Sequence, residues 1–221
     1  MKNTLNNKLI MASTGLFLCF FLVIHLLGNL QLLLPEDVAR EQFNWYSHML
    51  SVNVLIKIIS WILYASLSGH AVYALIIAVK NNTSNGKSYQ YDKRNFVSAW
   101  NSRNMGILGT ILLLFLLLFL IVHFKDYWYT YKFTALPVDA NGNKDLYEIV
   151  VSSFSQAWYV IIYEISFLAL GFHLLHGFFS ASRTLGLYHP KYAKAVKIIG
   201  WFYTLAITGG FMAIPLYIYF K

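Results

Sequence analysis

Cysteine and charge are both scarce in this chain of 221 residues. The single cysteine, Cys19, excludes a disulfide-stapled fold, a cysteine-ligated iron–sulfur cluster and a zinc site of the cysteine type. Charged residues make up 12% of the chain, against roughly 25% in an average soluble domain. With 58% hydrophobic residues and a mean hydropathy of +0.54, the composition excludes a disordered chain and indicates a membrane protein.

Long apolar runs dominate the sequence. A membrane-spanning helix needs about 20 mostly apolar residues, and the runs here are continuous rather than alternating, which favours helices over barrel strands. We therefore predict an all-α membrane protein that forms one transmembrane domain over residues 1–221. The five predicted transmembrane helices are 9–34, 54–79, 104–128, 156–181 and 196–220.

The distribution of charge predicts an orientation. With the N-terminus inside, eleven of the 17 Lys and Arg residues fall in the inner segments, as the positive-inside rule requires. This places the chain in the cytoplasmic membrane with its N-terminus in the cytoplasm and its C-terminus outside. No basic stripe with interleaved aromatics lies in a soluble segment, so lipid rather than nucleic acid is the expected surroundings.

Histidines lie inside four of the five apolar runs. An imidazole within hydrocarbon costs free energy and is expected to face the interior of the bundle with a partner. For any one of them, an interhelical hydrogen bond is the simpler interpretation. The histidines in the runs are His25, His70, His123, His173 and His176.

The depths of these histidines form a pattern. At 1.5 Å per residue, His25 and His123 lie about 24 and 28 Å from the inner ends of their helices. His70 and His173 each lie about 25 Å from the outer ends of theirs, near the inner side. Bis-histidine haem ligation requires two imidazoles at one depth from different helices, so the pattern predicts two haem b groups. Since His176 lies one turn beyond His173, it is the alternative partner of His70.

Small and polar residues surround these positions. Glycines beside the histidines give room either for a porphyrin or for close helix packing. Ser66 and Asn29, each one turn from a histidine, are candidates to orient the ligands. The fifth run contains no histidine, so we expect four helices to form the haem-binding bundle and the fifth to be peripheral. The flanking glycines are Gly28, Gly69, Gly171 and Gly177.

Four local motifs carry a resemblance to a known family. They are Ile24-His25-Leu26, Gly69-His70-Ala71-Val72-Tyr73, Val122-His123-Phe124 and Phe172-His173-Leu174-Leu175-His176-Gly177. On these motifs the chain resembles the single-chain, five-helix, di-haem cytochrome b (b558-type) membrane anchor of succinate dehydrogenase and fumarate reductase. Family members carry glycines four and thirteen residues after a ligand histidine. Counted from His173, these are Gly177 and Gly186, whereas the spacing fails from His176.

The resemblance implies a function and a set of partners. It implies that His25 and His123 hold a distal haem and that His70 and His173 hold a proximal haem. It further implies a cytoplasmic flavoprotein subunit, which carries the dicarboxylate site, and a cytoplasmic iron–sulfur subunit. The anchor then passes electrons between the iron–sulfur subunit and a membrane quinone, with menaquinone expected near the distal haem.

Three further residues are candidates for these ligands. Arg103 and Arg183 lie at the ends of predicted helices, and a guanidinium is suited to pairing with a haem propionate. Glu164 is an acidic residue well inside a run, which makes it a candidate for proton exchange with quinone, or else a protonated interhelical contact.

Two other classes of protein remain open. A di-haem anchor of nitrate reductase or formate dehydrogenase type would have similar histidine pairs and a different partner. A haem-free transporter or scaffold would use the histidines as polar packing, although no internal repeat supports a transporter.

Overall fold

The computed structural model describes residues 2–84, 114–187 and 189–221, and these ranges are almost entirely helical. In α4, helical residues 114–123 run into a π-helical stretch, Phe124–Tyr129, and then into Thr130–Phe133. The helices are α1 (Lys2–Asn29), α2 (Glu36–Val52), α3 (Val54–Ser84), α4 (114–133), α5 (Leu146–Phe154), α6 (Ala157–Thr184) and α7 (Ala193–Phe220).

Four helices of the described ranges are long and apolar enough to cross a membrane. They are Asn6–Leu33, Val54–Ile76, Ala157–Thr184 and Ala193–Phe220. The chain is therefore a helical, multi-pass membrane protein. The remaining predicted helix, 104–128, lies partly outside the described residues, so a count of five stays a prediction. Within those residues, α4 continues past the predicted end at 128 to Phe133.

Local chemistry explains where the helices begin and end. After Asn29, α1 tightens into a 3₁₀ turn, Leu30–Leu33, before Pro35, which disfavours continuation of a helix at the preceding residue. The Asn53 side chain accepts hydrogen bonds from the backbone N–H groups of Leu55 (2.9 Å) and Ile56 (3.2 Å), which caps α3. Gly186, with φ of +73°, ends α6 in the left-handed conformation that glycine adopts without strain.

Two shorter helices cover one end of the bundle. At this end, hereafter the α2 end, α1 and α7 finish and α3 and α6 begin; α2 packs there against α5 and the start of α3. Both helices lie between the predicted membrane-spanning runs, and neither is long enough to span the membrane itself. Glu36 and Asp37 lie in the first turn of α2, where acidic side chains favour the positive end of the helix dipole.

A buried polar network joins α2 to the segment before α5. Asn44 is fully buried and donates hydrogen bonds to Asp145 Oδ1 (2.9 Å) and Asp139 Oδ2 (3.2 Å). Its side-chain oxygen accepts from the backbone N–H of Tyr147 at 2.9 Å. Asp145 also caps α5 by accepting from the backbone N–H of Glu148. Each polar group of the buried Asn44 amide therefore has a partner.

An arginine adds charge to this network. Arg40 donates to Asp145 Oδ2 at 2.8 Å and to the Glu148 carboxylate. Burial alone lowers the pKa of the Arg40 guanidinium, but these two carboxylates hold its pKa above the usual value. The α2 end is thus tied together by charge-assisted hydrogen bonds rather than by apolar packing alone.

The last helix contains no histidine, and it packs closely against two of the helices that do. α7 packs along α6 and also contacts α1. Small residues allow this approach, since a Cβ on Gly171 would lie 2.8 Å from Thr208 Oγ1 and one on Gly210 would lie 2.7 Å from Leu26. How closely a helix packs depends on the shape of its surface, and the absence of histidine gives no information about that shape.

Replacement of Asn44 by alanine should destabilise the α2 end. The change leaves the buried Tyr147 N–H without a partner and removes one hydrogen-bond donor each from Asp145 and Asp139, which should lower the free energy of unfolding by about 3 kcal/mol. Reversible unfolding in detergent micelles measures this. The control is Asn141→Ala, because Asn141 bonds only the exposed Glu41 through its amide nitrogen and should cost about 0.5 kcal/mol or less. Equal losses for the two variants would contradict the role of Asn44.

Candidate functional site: two histidine pairs

The first histidine pair lies toward the α2 end and joins α1 to α4. The ring centres of His25 and His123 are 5.8 Å apart, and their planes cross at 89°. The two residues are 98 positions apart in the chain, and helix packing alone brings them to one level. This is the pair that the depth of each histidine in its helix predicts.

The second pair lies toward the opposite end and joins α3 to α6. The ring centres of His70 and His173 are 6.0 Å apart, with an angle of 84° between their planes. His176, the alternative partner, is exposed one turn further along α6 and makes no ring contact with His70 among the described residues. The geometry therefore selects His173.

Two positions on α1 give the distance between the pairs. A Cβ on Gly15 would lie 3.2 Å from the His70 ring, so Gly15 marks the level of the second pair. His25, ten residues further along α1, belongs to the first pair. At 1.5 Å per residue, the two levels are about 15 Å apart along the helix axis.

Aromatic rings surround the first pair. His25 stacks on Phe21 with centres 5.2 Å apart, and His123 stacks on Phe119 at 5.4 Å. Each phenylalanine lies one turn before its histidine, on the same face of the helix. Phe211 of α7 packs against His25 at 5.7 Å. By contrast, the only ring contact of the second pair in the described ranges is between its two members.

In each pair, a hydroxyl group lies within hydrogen-bonding distance of the Nδ1 nitrogen of one histidine. Thr14 Oγ1 lies 3.3 Å from His70 Nδ1, and Tyr163 Oη lies 3.4 Å from His123 Nδ1. The sequence pattern does not indicate these two residues, because each belongs to a different helix from its histidine. The residues proposed instead have other contacts: Asn29 donates to the backbone oxygen of His25 (2.7 Å), and in the described parts of the chain Ser66 has no hydrogen bond to His70.

The flanking glycines divide into two kinds. Gly69 and Gly177, next to the second pair, face space that the described residues leave open, since a Cβ there would meet none of their atoms within 4 Å. Gly28 is filled by Tyr46 at 2.5 Å and Gly171 by Thr208, so these two serve helix packing. The described residues therefore leave space beside Gly69 and Gly177 that a flat ligand could occupy.

The remaining predicted site residues lie apart from the rings. Arg183 is exposed in the last turn of α6, about 15 Å along the helix from His173. Arg103 lies outside the described residues. Glu164 is half-buried in α6 near the α2 end, and its buried Oε1 atom has no hydrogen-bond partner within the described ranges. An unpartnered carboxyl oxygen in a membrane helix favours contact with a further polar group.

The separation of the rings fits axial ligation of a haem iron. A metal–imidazole bond of about 2 Å, with about 1 Å from nitrogen to ring centre, places two axial ring centres about 6 Å apart. The observed separations are 5.8 and 6.0 Å. Within the described ranges, no three His, Cys, Asp or Glu side chains converge on one point, as a metal site built only of side chains would require.

Comparisons with protein-family models, with curated proteins and with solved structures found no match for this chain. The geometry of the two pairs and their surroundings is therefore the basis of the functional argument.

Replacement of Gly177 by leucine tests whether the open space accommodates a haem. Leucine has a better helix propensity than glycine by about 1 kcal/mol, and no described atom lies close enough to obstruct it. We expect the variant to fold and to lose the haem held by His70 and His173, about half of the total, in a haem assay. Gly209→Leu is the control, since Gly209 also faces open space but is exposed on α7. Full retention of haem in both variants would show that no haem occupies the space beside Gly177.

Proposed function

We propose that this chain is the membrane-anchor cytochrome b subunit of a succinate:quinone oxidoreductase, either a succinate dehydrogenase or a fumarate reductase. The observation that carries the proposal is the pairing of His25 with His123 and of His70 with His173, at two levels of one bundle. Four separate helices supply the four imidazoles. When bound, two b haems supply one-electron carriers that connect an iron–sulfur subunit with a membrane quinone.

The residues of the chain have distinct tasks in this proposal. The four histidines would hold the haem irons through imidazole nitrogens, and Thr14 and Tyr163 would orient one imidazole of each pair through its Nδ1. Phe21, Phe119 and Phe211 exclude water from the first pair, which keeps the local dielectric low.

The two ends of the bundle suit different neighbours. At the α2 end, six basic side chains, among them Arg40, are outnumbered by seven acidic ones, so no net positive charge is available there for an acidic partner. At the opposite end, Lys191, Lys194 and Lys197 are exposed. This asymmetry supports a cytoplasmic location of the lysine-bearing end, where the flavoprotein and iron–sulfur subunits dock. The first pair then holds the distal haem and the second pair the proximal haem.

Quinone, expected to be menaquinone, is assigned to the side of the distal pair. Glu164 lies toward the α2 end, and its buried Oε1 has no partner in the described parts of the chain, so it can exchange a proton with a bound quinone. Arg103 and Arg183 remain the candidates for pairing with haem propionates.

Removal of one axial histidine should remove one haem. Purified wild-type protein should show a b-type band in its reduced-minus-oxidised spectrum, and His70→Ala should lose about half of the haem while the distal centre remains, because each pair binds independently. His176→Ala is the matched control and should retain both haems. Absence of a b-type band in the wild type would reject an electron carrier, and co-purifying subunits active on nitrate or formate would contradict the choice of complex.

Glu164→Gln should separate quinone chemistry from haem binding. The amide keeps the shape of the side chain but cannot exchange a proton, so quinone-dependent turnover of the complex should fall by about 10²-fold. The haem spectrum should stay unchanged. Glu41→Gln, at an exposed glutamate of α2, is the control and should retain full turnover. Wild-type turnover in Glu164→Gln would assign this carboxyl group to interhelical contact alone.

A further inference from the structure

A chain of hydrogen bonds leads from a carboxylate near the α2 end to the imidazole of His123. Tyr159 Oη donates to Asp126 Oδ2 at 3.0 Å. The hydroxyl oxygens of Tyr159 and Tyr163 are 3.2 Å apart, and Tyr163 Oη lies 3.4 Å from His123 Nδ1. This series of hydrogen bonds therefore runs from α4 to α6 and back to α4.

The carboxylate determines the direction of every hydrogen bond in this chain. An ionised carboxylate only accepts, and a hydroxyl has one proton to donate. Since Tyr159 donates its proton to Asp126, its oxygen accepts from Tyr163. Tyr163 has then used its own proton, so its oxygen accepts from the N–H at Nδ1 of His123.

We propose that Asp126, acting through Tyr159 and Tyr163, holds His123 in the tautomer with the proton on Nδ1. This tautomer leaves the lone pair on Nε2, the nitrogen on the other side of the ring, free to bind a metal. Asp126, Tyr159 and Tyr163 are thus positioning residues for the distal centre. The inference deepens the proposed function and rests on it for the identity of that metal.

Burial, ring stacking and an ion pair hold the hydrogen-bonded residues between Asp126 and His123 in place. Tyr163 and Tyr159 are 2% and 5% exposed, and their rings stack with centres 4.8 Å apart. Such burial excludes water as a competing donor or acceptor for the two hydroxyls. At the other end, the Lys125 ammonium lies 3.1 Å from Asp126 Oδ1, so the second carboxylate oxygen also has a donor.

In the second pair, a single hydroxyl group is sufficient to place the proton of His70 on Nδ1. The Thr14 hydroxyl donates to the backbone oxygen of Ile10 at 2.8 Å, so its oxygen accepts from Nδ1–H of His70, 3.3 Å away. One histidine of each pair is therefore directed to present Nε2. A threonine suffices at His70, because a backbone carbonyl of its own helix takes its proton, whereas the tyrosines require Asp126.

The test is a redox titration of both haems in the purified complex. A hydrogen bond to Nδ1 makes the opposite nitrogen more electron-donating, which stabilises the oxidised iron and lowers the midpoint potential. Tyr163→Phe keeps the ring and removes the bond, so the distal midpoint potential should rise while the proximal one stays unchanged. Tyr159→Phe should give a smaller rise and Asp126→Asn the smallest, because each is one link further away.

The matched control is Tyr64→Phe. The Tyr64 hydroxyl accepts a hydrogen bond from Trp128 Nε1 of α4 at 2.7 Å, but within the described residues its ring contacts neither histidine of the first pair. Its distal midpoint potential should equal that of the wild type. Equal shifts in Tyr64→Phe and Tyr163→Phe, or no shift in Tyr163→Phe, would overturn the inference while the proposed function stands.

A second measurement reads the tautomer without relying on haem. ¹⁵N NMR of the protein labelled at histidine distinguishes a protonated Nδ1 from a protonated Nε2. If the purified protein lacks a b-type band, the proposed function fails, and this measurement still decides the inference. His123 should then carry its proton on Nδ1 in the wild type and lose that preference in Tyr163→Phe. A proton on Nε2 in the wild type would overturn the inference.

Discussion

The cost of an imidazole within hydrocarbon is the constraint on which the architecture depends. A polar ring placed in a lipid-spanning helix must find a partner inside the bundle, since the bilayer interior offers neither water nor hydrogen-bonding groups. Here four helices each contribute one such ring, and they pack so that the rings meet in two pairs. The levels of the histidines thereby determine how α1, α3, α4 and α6 are staggered along the bundle.

The two pairs differ in what surrounds them, and this difference has a physical consequence. The pair at the α2 end lies among phenylalanines and two hydrogen-bonded tyrosines, whereas the other pair adjoins two glycines beside which the described part of the chain leaves open space. Aromatic packing and a carboxylate-linked hydrogen bond adjust the electronic properties of a ligand. The space that the described residues leave beside the other pair is instead wide enough for a further group to approach. The two histidine pairs therefore lie in surroundings of different character.

The polar network of α2 and α5 stabilises the α2 end of the bundle. The hydrogen bonds that lead from Asp126 to His123 start at this end. Asn44 and Asp145 fasten α2 to the segment before α5, and α5 leads directly into α6, which carries Tyr159 and Tyr163. The hydrogen bonds of Tyr159 and Tyr163 require their phenol groups to stay aligned. The stacking of the two rings holds this alignment, and the polar network holds the start of α6, which carries both residues. The geometry at His123 consequently depends on residues far from it in the sequence.

Part of this arrangement can be read from the sequence. Apolar runs of about the right length predict the membrane helices, Pro35 and Gly186 mark two of their ends, and the depth of each histidine predicts which pairs share a level, because a helix rises by a constant amount per residue. The sequence does not reveal the helical form of α2 and α5, the packing of α7 against α1 and α6, or the contacts of Thr14, Tyr159 and Tyr163. Those depend on the rotation of each helix about its axis and on which neighbour it meets, and only the tertiary structure decides them, since a periodic pattern states how far along a helix a residue lies but not what stands opposite.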